Sequence, residues 1–404
     1  MRILFLYDFP LWGSGSGIYL RNLIQELVKQ NHKIGVVAPE PRRFLDDKIK
    51  QYQVKSKIIP VFIGHPELKG SKRYSELSDR EITDVFKSFL DTTIEAVENF
   101  QPDIIHVHHL SLISWVARYI KALKNIKYIV TTHGSCFNNL LVNKKYVPMC
   151  EDAIRNANAI TTVSGNTRSR FLKSFGKSYA KNFFIIPGGI DMKMFPAQPN
   201  KTAIKKLDKK YKLKDKKLVL FCGRLTSEKG AKYLITAARD IQGEVFIVGD
   251  GPEREFLKEI IARKKLKNVR LLGYMTHEKI IDLYYRADVF VAPSVVEEAL
   301  GLSILEAMAA RTPVIATRKG GIPLLVKQNH NGLFVKPRNA QKIADACNKL
   351  INDDELRAKM GENARKTVEE KFTWDKSGLK FDRLYKKIAG TNGKNGKNGN
   401  SHKK

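Results

Sequence analysis

KLVLFCGRLTSEKG, residues 217–230, is the stretch on which the fold turns. Its first half is apolar almost throughout, as in a strand buried on both faces. It ends at a glycine, and a polar loop carrying Arg224 and Lys229 leads into a helical segment. The same rhythm has already run once before it. RILFLY (2–7) is followed by a segment, 17–30, with apolar residues at Ile18, Leu20, Leu23, Ile24, Leu27 and Val28, one face of a 3.6-residue period. KIGVVAP (33–39), DIIHVHH (103–109), KYIVTTH (127–133), AITTVS (159–164) and FFIIPGG (183–189) continue the series. After residue 217 it restarts through EVFIVGD, VRLLGY, DVFVAPS, TPVIAT and GLFV. Such alternation implies parallel sheets covered by helices on both faces.

The expectation is therefore an α/β chain of two Rossmann-like, doubly wound parallel-sheet domains in series. Residues 1–190 form the first and 191–371 the second. The Pro-, Asn- and Lys-rich stretch 191–216 reads as a linker entering a charged surface helix. The low-complexity tail 390–404 is expected to be disordered. Ligands of such sheets bind beyond the carboxyl ends of the strands. Two open sheets would then face each other across a cleft holding any shared site.

The 404 residues, 43% hydrophobic and 9% aromatic, suffice for two cores. No apolar run approaches the roughly 18 residues needed to span a bilayer. Asp8 and Pro10 interrupt the N-terminal run too early for a secretory signal. Four scattered cysteines read as buried thiols in a reducing compartment. These features point to a cytoplasmic protein. The formal charge of +31 leaves two readings open, solvated surface charge and peripheral attraction to the anionic inner face of a membrane. Its spread over both halves argues against nucleic acid as a partner.

Three elements carry chemistry. In PSVVEEALGLSILEAMAARTPVIAT (293–317), Glu298 stands in a loop and Glu306 roughly one turn into a helix that starts at Leu302. A helix start offers free N–H groups to an anion, and Gly301 allows close backbone approach. In FCGRLTSEKG, Arg224 and Lys229 can grip a diphosphate. In FPLWGSGSGIYLRNL (9–23), Gly13, Gly15 and Gly17 can bring backbone close to a ligand. Ile18 falls where the dinucleotide fingerprint needs glycine, which disfavours NAD(P). His106 and His108 share a strand face, but no carboxylate or cysteine pattern completes a metal site with them, His109 and His133.

Together these elements resemble glycosyltransferase family 4, the group 1 glycosyl transferases of the GT-B fold. TTHG (131–134), ITTVSGNT (160–167), IPGGID (186–191), VGDGPER (248–254) and LLGYM (271–275) match in the same order. The resemblance implies a sugar transferred from a nucleotide-diphosphate-sugar donor to an acceptor, lipid-linked or small, with retention of anomeric configuration and neither cofactor nor metal. It assigns Arg224 and Lys229 to the donor diphosphate and Glu306 to the ribose hydroxyls. Glu298 and the backbone of Gly301, Leu302 and Ser303 face the donor sugar, and Tyr274 and Met275 flank the base. Gly249 (in VGDGPER), Gly15 and Gly17 lie near the donor phosphates, and His133 points at the reacting sugar. Arg224, Lys229, Glu298 and His133 are thus the candidate catalytic residues. The first domain becomes the acceptor side, with segment 372–389 returning onto it, and the second the nucleotide-sugar-binding side.

Four positions depart from the family pattern: Leu300 for Phe, Arg311 for Gly, Leu324 for Glu and Gly188 for Asn. Two alternatives compete with the transferase. A nucleotide-sugar epimerase shares the architecture but lacks support from the paired glutamates and cations. A catalytically silent sugar-nucleotide binder would not need the charged residues.

Overall fold

The computed structural model describes residues 1–12, 14–62, 68 and 70–390. Gly13 and the tail beyond 390 lie outside them. The chain separates into two compact units: Met1–Ile186 together with the chain from Ser377 onward, and Pro187–Lys376.

The first unit is built on a parallel sheet of seven strands. These are β1 (Arg2–Tyr7), β2 (Lys33–Ala38), β3 (Ile49–Gln53), β6 (Ile104–His108), β7 (Tyr128–Thr132), β8 (Ala159–Thr162) and β9 (Phe183–Ile185), in the order β3-β2-β1-β6-β7-β8-β9. A separate parallel pair comprises β4 (Ile59–Val61) and β5 (Ser71–Arg73). Ile3 to Tyr7 of β1 and all of β6 and β7 are buried, as central strands must be. From the C-terminal helix Trp374–Gly390, Tyr385 reaches His106 through a 2.7 Å hydrogen bond, and Asp382 lies 3.0 Å from His32.

The first helix, Gly15–Lys29, begins two residues before the expected start because the Ser14 side chain accepts from the Gly17 N–H at 3.0 Å. Ile18 is 41% exposed and not on the buried face; Tyr19, 3% exposed, is buried in its stead. The glycines of this loop differ in their surroundings. A Cβ on Gly17 would sit 2.2 Å from the Leu11 carbonyl oxygen, so the loop's own packing requires glycine there. A Cβ on Gly15 would meet nothing within 4 Å.

The second unit repeats the plan with β10 (Leu218–Cys222), β11 (Glu244–Val248), β12 (Val269–Gly273), β13 (Val289–Ala292), β14 (Val314–Thr317) and β15 (Gly332–Val335), ordered β12-β11-β10-β13-β14-β15. In both sheets the chain runs outward on one side of its first strand, then returns to that strand's other side and runs outward again. That reversal is the topological switch point of doubly wound folds.

The stretch read as a linker belongs to this unit. Arg365, 6% exposed, donates to the carbonyls of Phe195 (3.0 Å), Pro196 (3.3 Å) and Ala309 (2.8 Å). Tyr285 donates to Pro196 and Arg311 to Ala197, both at 2.6 Å. Asp208, in the helix Lys201–Tyr211, pairs with Arg286 at 2.5 Å. Among the described residues no helix is long and apolar enough to cross a membrane.

The loops after β10 and β11 interlock through glycine. Gly249 has φ +130°, and a Cβ there would lie 1.9 Å from the Gly223 oxygen. Gly249→Ala should therefore cost about 3 kcal/mol and lower the unfolding midpoint by roughly 6–12 °C. Gly15→Ala should move it by no more than about 2 °C. Differential scanning calorimetry of both variants checks the contrast, and equal midpoints would refute it.

Candidate functional site

The candidate residues of the second unit all follow the carboxyl ends of strands. Arg224, half-buried, stands two residues past β10, whose loop is tied to the next by Leu225 N–H donating to the Asp250 oxygen at 2.8 Å. Lys229 ends a 3₁₀ turn, Ser227–Lys229, and not the first turn of the following helix. Gly230 then adopts φ +71°, where a Cβ would lie 2.2 Å from the Pro293 oxygen. Val295 N–H donates to the Glu228 oxygen at 2.8 Å, which lays the loop after β13 alongside Lys229.

Glu298 is brought directly onto Lys229. The ammonium donates to its two carboxylate oxygens at 2.7 and 2.8 Å, and the Ser294 hydroxyl donates to one of them at 2.5 Å. Burial pushes the Glu298 carboxyl up, but the Lys229 charge and these hydrogen bonds outweigh it and hold the group below the ordinary carboxylate value. Its backbone is fixed by Gly320 and Gly321. Gly321 N–H donates to the Glu298 oxygen at 2.7 Å, and a Cβ on Gly320 (φ +57°) would sit 2.0 Å from that oxygen. Sequence reasoning passed over this pair, although adjacent glycines after a strand are a visible signal.

Gly301, φ +95°, precedes the helix Leu302–Ala309. Leu302 and Ser303 are half-buried at its start, and Leu300 is 5% exposed. Glu306, a turn further on, accepts from the Tyr284 hydroxyl at 2.7 Å and is joined to His277 Nε2 at 2.8 Å. Tyr274 is 79% exposed just beyond β12, next to half-buried Met275. The structure thus gathers Arg224 and Lys229 after β10, Gly249 after β11, Tyr274 and Met275 after β12, and both glutamates after β13 at one edge of one sheet.

In the first unit the equivalent edge holds a buried polar cluster. His133 stands before the helix Gly134–Val142, its Nε2 3.1 Å from His108 Nδ1, with the Tyr19 ring edge-on at 5.2 Å. Asp8, just past β1 and fully buried, accepts from the Tyr74 hydroxyl at 2.6 Å and lies 3.1 Å from His109 Nδ1. His106 is bonded on both ring nitrogens, to the Tyr385 hydroxyl and the Thr131 hydroxyl. The Nε2 atoms of His108 and His109 are buried with no partner among the described residues. Among the described residues, no group of three or more His, Cys, Asp or Glu is arranged to hold a metal ion. Asp8 and His109 were not among the expected site residues.

Two family models match the chain in succession, one described as Glycosyltransferase Family 4 over residues 13–193 and one as Glycosyl transferases group 1 over residues 203–367. The chain belongs to glycosyltransferase family 4. An uncharacterised glycosyltransferase of Methanocaldococcus jannaschii is 28% identical across 92% of this chain and 94% of its own length. A GDP-mannose-dependent α-(1-6)-phosphatidylinositol monomannoside mannosyltransferase of Mycobacterium tuberculosis is 31% identical across 62% of this chain and 66% of its own. Among solved structures, HepE of Anabaena in complex with UDP-glucose superposes with a TM-score of 0.74 at 20% identity, covering 96% of this chain and 100% of that one. The fold of this glycosyltransferase is GT-B, and its two units are the two Rossmann-like domains of that class.

One departure of this glycosyltransferase from its family has a structural account. Arg311 sits at φ +61°, the left-handed conformation that glycine adopts without cost. Its guanidinium is 2.6 Å from Glu362 and donates to Ala197, contacts a glycine could not make. Leu324 is 41% exposed. Nothing in the structure explains the glycine at position 188.

Burial pushes the His106 imidazole down to about 3 and those of His108 and His133 well below their ordinary value near 6.5. All three stay neutral in the folded unit. Below pH 6.5 the unfolded chain binds protons that the folded one refuses, so stability falls as pH falls. The slope approaches about 1.4 kcal/mol per pH unit for each histidine. Lowering the pH from 7.5 to 5.5 should cost the first unit about 4 kcal/mol, read from urea unfolding at the two values. Equal stability at both would mean that these imidazoles are charged in the fold.

Proposed function

We propose that this glycosyltransferase takes its sugar from a nucleoside-diphosphate sugar held at the carboxyl edge of the second unit's sheet, and transfers it with retention of anomeric configuration and without a divalent metal. The observation that carries this reading is the pairing of Lys229 with Glu298 at the switch point between β10 and β13, with Glu306 held a turn into the adjoining helix. An ammonium has three N–H donors. Glu298 takes two and leaves one for a phosphate oxygen, so Lys229 is pre-oriented and not tumbling in solvent. Arg224, from the same loop, adds a guanidinium suited to a second phosphate oxygen. The N–H groups at the start of Leu302–Ala309, with the positive end of its dipole, face the same charge.

In this reading Glu306 accepts from the ribose hydroxyls, while the backbones of Tyr274 and Met275 flank the base. Gly249 borders the phosphates. Glu298 and the Gly301–Ser303 backbone face the sugar. As the bond from the anomeric carbon to the diphosphate lengthens, negative charge grows on the departing oxygen. Arg224 and Lys229 stabilise it there, and the same oxygen takes the proton of the acceptor hydroxyl on the face it leaves. Attack and departure on one face retain the configuration. The two cations offset the negative charge that a divalent metal would otherwise neutralise.

Thermal-shift measurements against UDP-, GDP- and ADP-sugars identify the donor, since a ligand of the native state raises its apparent stability. UDP-glucose and GDP-mannose are the first to try, given the ligands of the HepE structure and the mycobacterial relative. With the donor in hand, Lys229→Ala should lower kcat about 100- to 1000-fold, equivalent to about 3–4 kcal/mol. Turnover near the wild-type rate would overturn the assignment. Excess chelator should leave the rate unchanged, and NMR of the product should show the donor's anomeric configuration. Conversion of the donor without any acceptor would identify an epimerase, and binding without turnover a silent binder.

The helix Leu112–Lys124 favours a membrane-linked acceptor as a second element of this reading. Tyr119 and Leu123 are 43% and 54% exposed on it, in a stretch whose last turn carries Lys121 and Lys124. Apolar side chains among lysines suit an anionic lipid surface. The protein should co-sediment with anionic vesicles and not with neutral ones; equal recovery from both would remove membrane contact from the reading.

A further inference from the structure

The Glu306 carboxylate is held from outside its own helix by two donors of the helix His277–Arg286, and the two differ in kind. Tyr284 is fully buried, and its ionisation is pushed far above the ordinary phenol value by burial and by Cys222 and Glu306 beside it. Its O–H donates to one Glu306 oxygen whatever the pH. The His277 side chain is 42% exposed and bonds the other oxygen at 2.8 Å. A carboxylate has about four lone-pair sites. With one on each oxygen occupied, the plane of the group is set, and each oxygen keeps a site for one of two neighbouring hydroxyls.

We propose that His277 is a positioning residue for the nucleotide's ribose, acting through Glu306, and that it makes nucleotide affinity fall as pH rises. This rests on the assignment of Glu306 to the ribose. As an imidazolium, His277 carries a proton on both nitrogens, so Nε2 always donates to Glu306. As a neutral ring it has one proton, and in the tautomer with that proton on Nδ1 a bare Nε2 lone pair faces the carboxylate and loosens it. The hydrogen bond to Glu306 raises the His277 pKa above its ordinary value, against the opposing effect of burial. The carboxylate is therefore held most firmly below that raised value, and the hold weakens as pH climbs through it. The other group that bears on the imidazole is Glu278 of its own helix, itself beside Lys279. Cys222 of β10 acts on Tyr284 and Glu306 and is not among the groups acting on the imidazole itself. Asp208, of the helix packed alongside, is engaged with Arg286 at the far end.

The test is calorimetric titration of the full chain with UDP, GDP and ADP between pH 5.5 and 8.5. For the nucleotide that binds, Kd should weaken about three- to tenfold between pH 6.5 and 8.5 beyond the drift due to the phosphates themselves. His277→Gln keeps an amide donor with no proton to lose, so it should bind with that drift alone. Tyr284→Phe should bind more weakly at every pH and keep the step. The 2′-deoxy form of the same nucleotide, which needs no variant, should show a smaller step with the wild-type protein. A His277→Gln profile that superposes on the wild type, or a step as large with the 2′-deoxy nucleotide, overturns the inference. Glu306→Ala separates the two levels. If it weakens binding while His277→Gln keeps the step, only the role of His277 falls. If it binds like the wild type, or if none of the three nucleotides binds the wild-type protein, the donor-site reading falls and the inference with it.

Discussion

A parallel strand can be re-entered only from its far end, so every link between neighbouring strands must cross a face of the sheet, here mostly as a helix. The second unit runs from β10 outward to β12, then returns to the other side of β10 with β13. At that return the connections on the two sides leave in opposite directions, and the carboxyl ends of β10 and β13 are left uncovered. Arg224, Lys229, Glu298 and Glu306 come from the loops and the helix that leave those two ends. The first unit obeys the same rule at β1 and β6, where Asp8, His108 and His109 stand. The site residues are distant in sequence because the topology requires it.

What those two edges do with charge differs. In the second unit a buried carboxylate and a half-exposed ammonium neutralise each other, and the ammonium keeps a donor to spare. A lone cation at that depth would face a desolvation cost, which the facing carboxylate offsets. In the first unit desolvation wins. Three imidazoles packed ring to ring, with no cation-stabilising partner at His106 or His108, give up their protons. One edge is thus suited to hold an anion, and the other to offer neutral hydrogen-bonding groups.

The buried strands were legible because burial on both faces leaves a continuous apolar run. The charged residues of the second unit were legible because each follows such a run by a few positions. The strands not foreseen lacked that mark. β3 reads IKQYQ, an edge strand with one neighbour and only Ile49 buried, and β4 and β5 have three residues each. Asp8 was weighed only as an interruption of an apolar run. Its role depends on Tyr74 and His109, 66 and 101 residues away, a proximity that only tertiary structure creates. The stretch 191–216 has a linker's composition, yet its carbonyls are taken by Arg365, Arg311 and Tyr285 from later in the chain. Composition registers a lack of apolar side chains; it does not register backbone oxygens paired by arginines.

Arg311 carries the last step of that reasoning. A family position that prefers glycine marks a backbone conformation, here φ +61°, more than a side chain. A non-glycine residue there costs about 1–2 kcal/mol. A hydrogen bond to the Ala197 carbonyl and an ion pair with Glu362 are of the size needed to offset it. The backbone turn that follows the helix carrying Glu306 is therefore kept although the residue that usually permits it is gone. The substitution also ties that turn to the segment entering the unit. A departure from a family motif can in this way leave the geometry of the site intact, because the motif recorded one inexpensive means of making the turn.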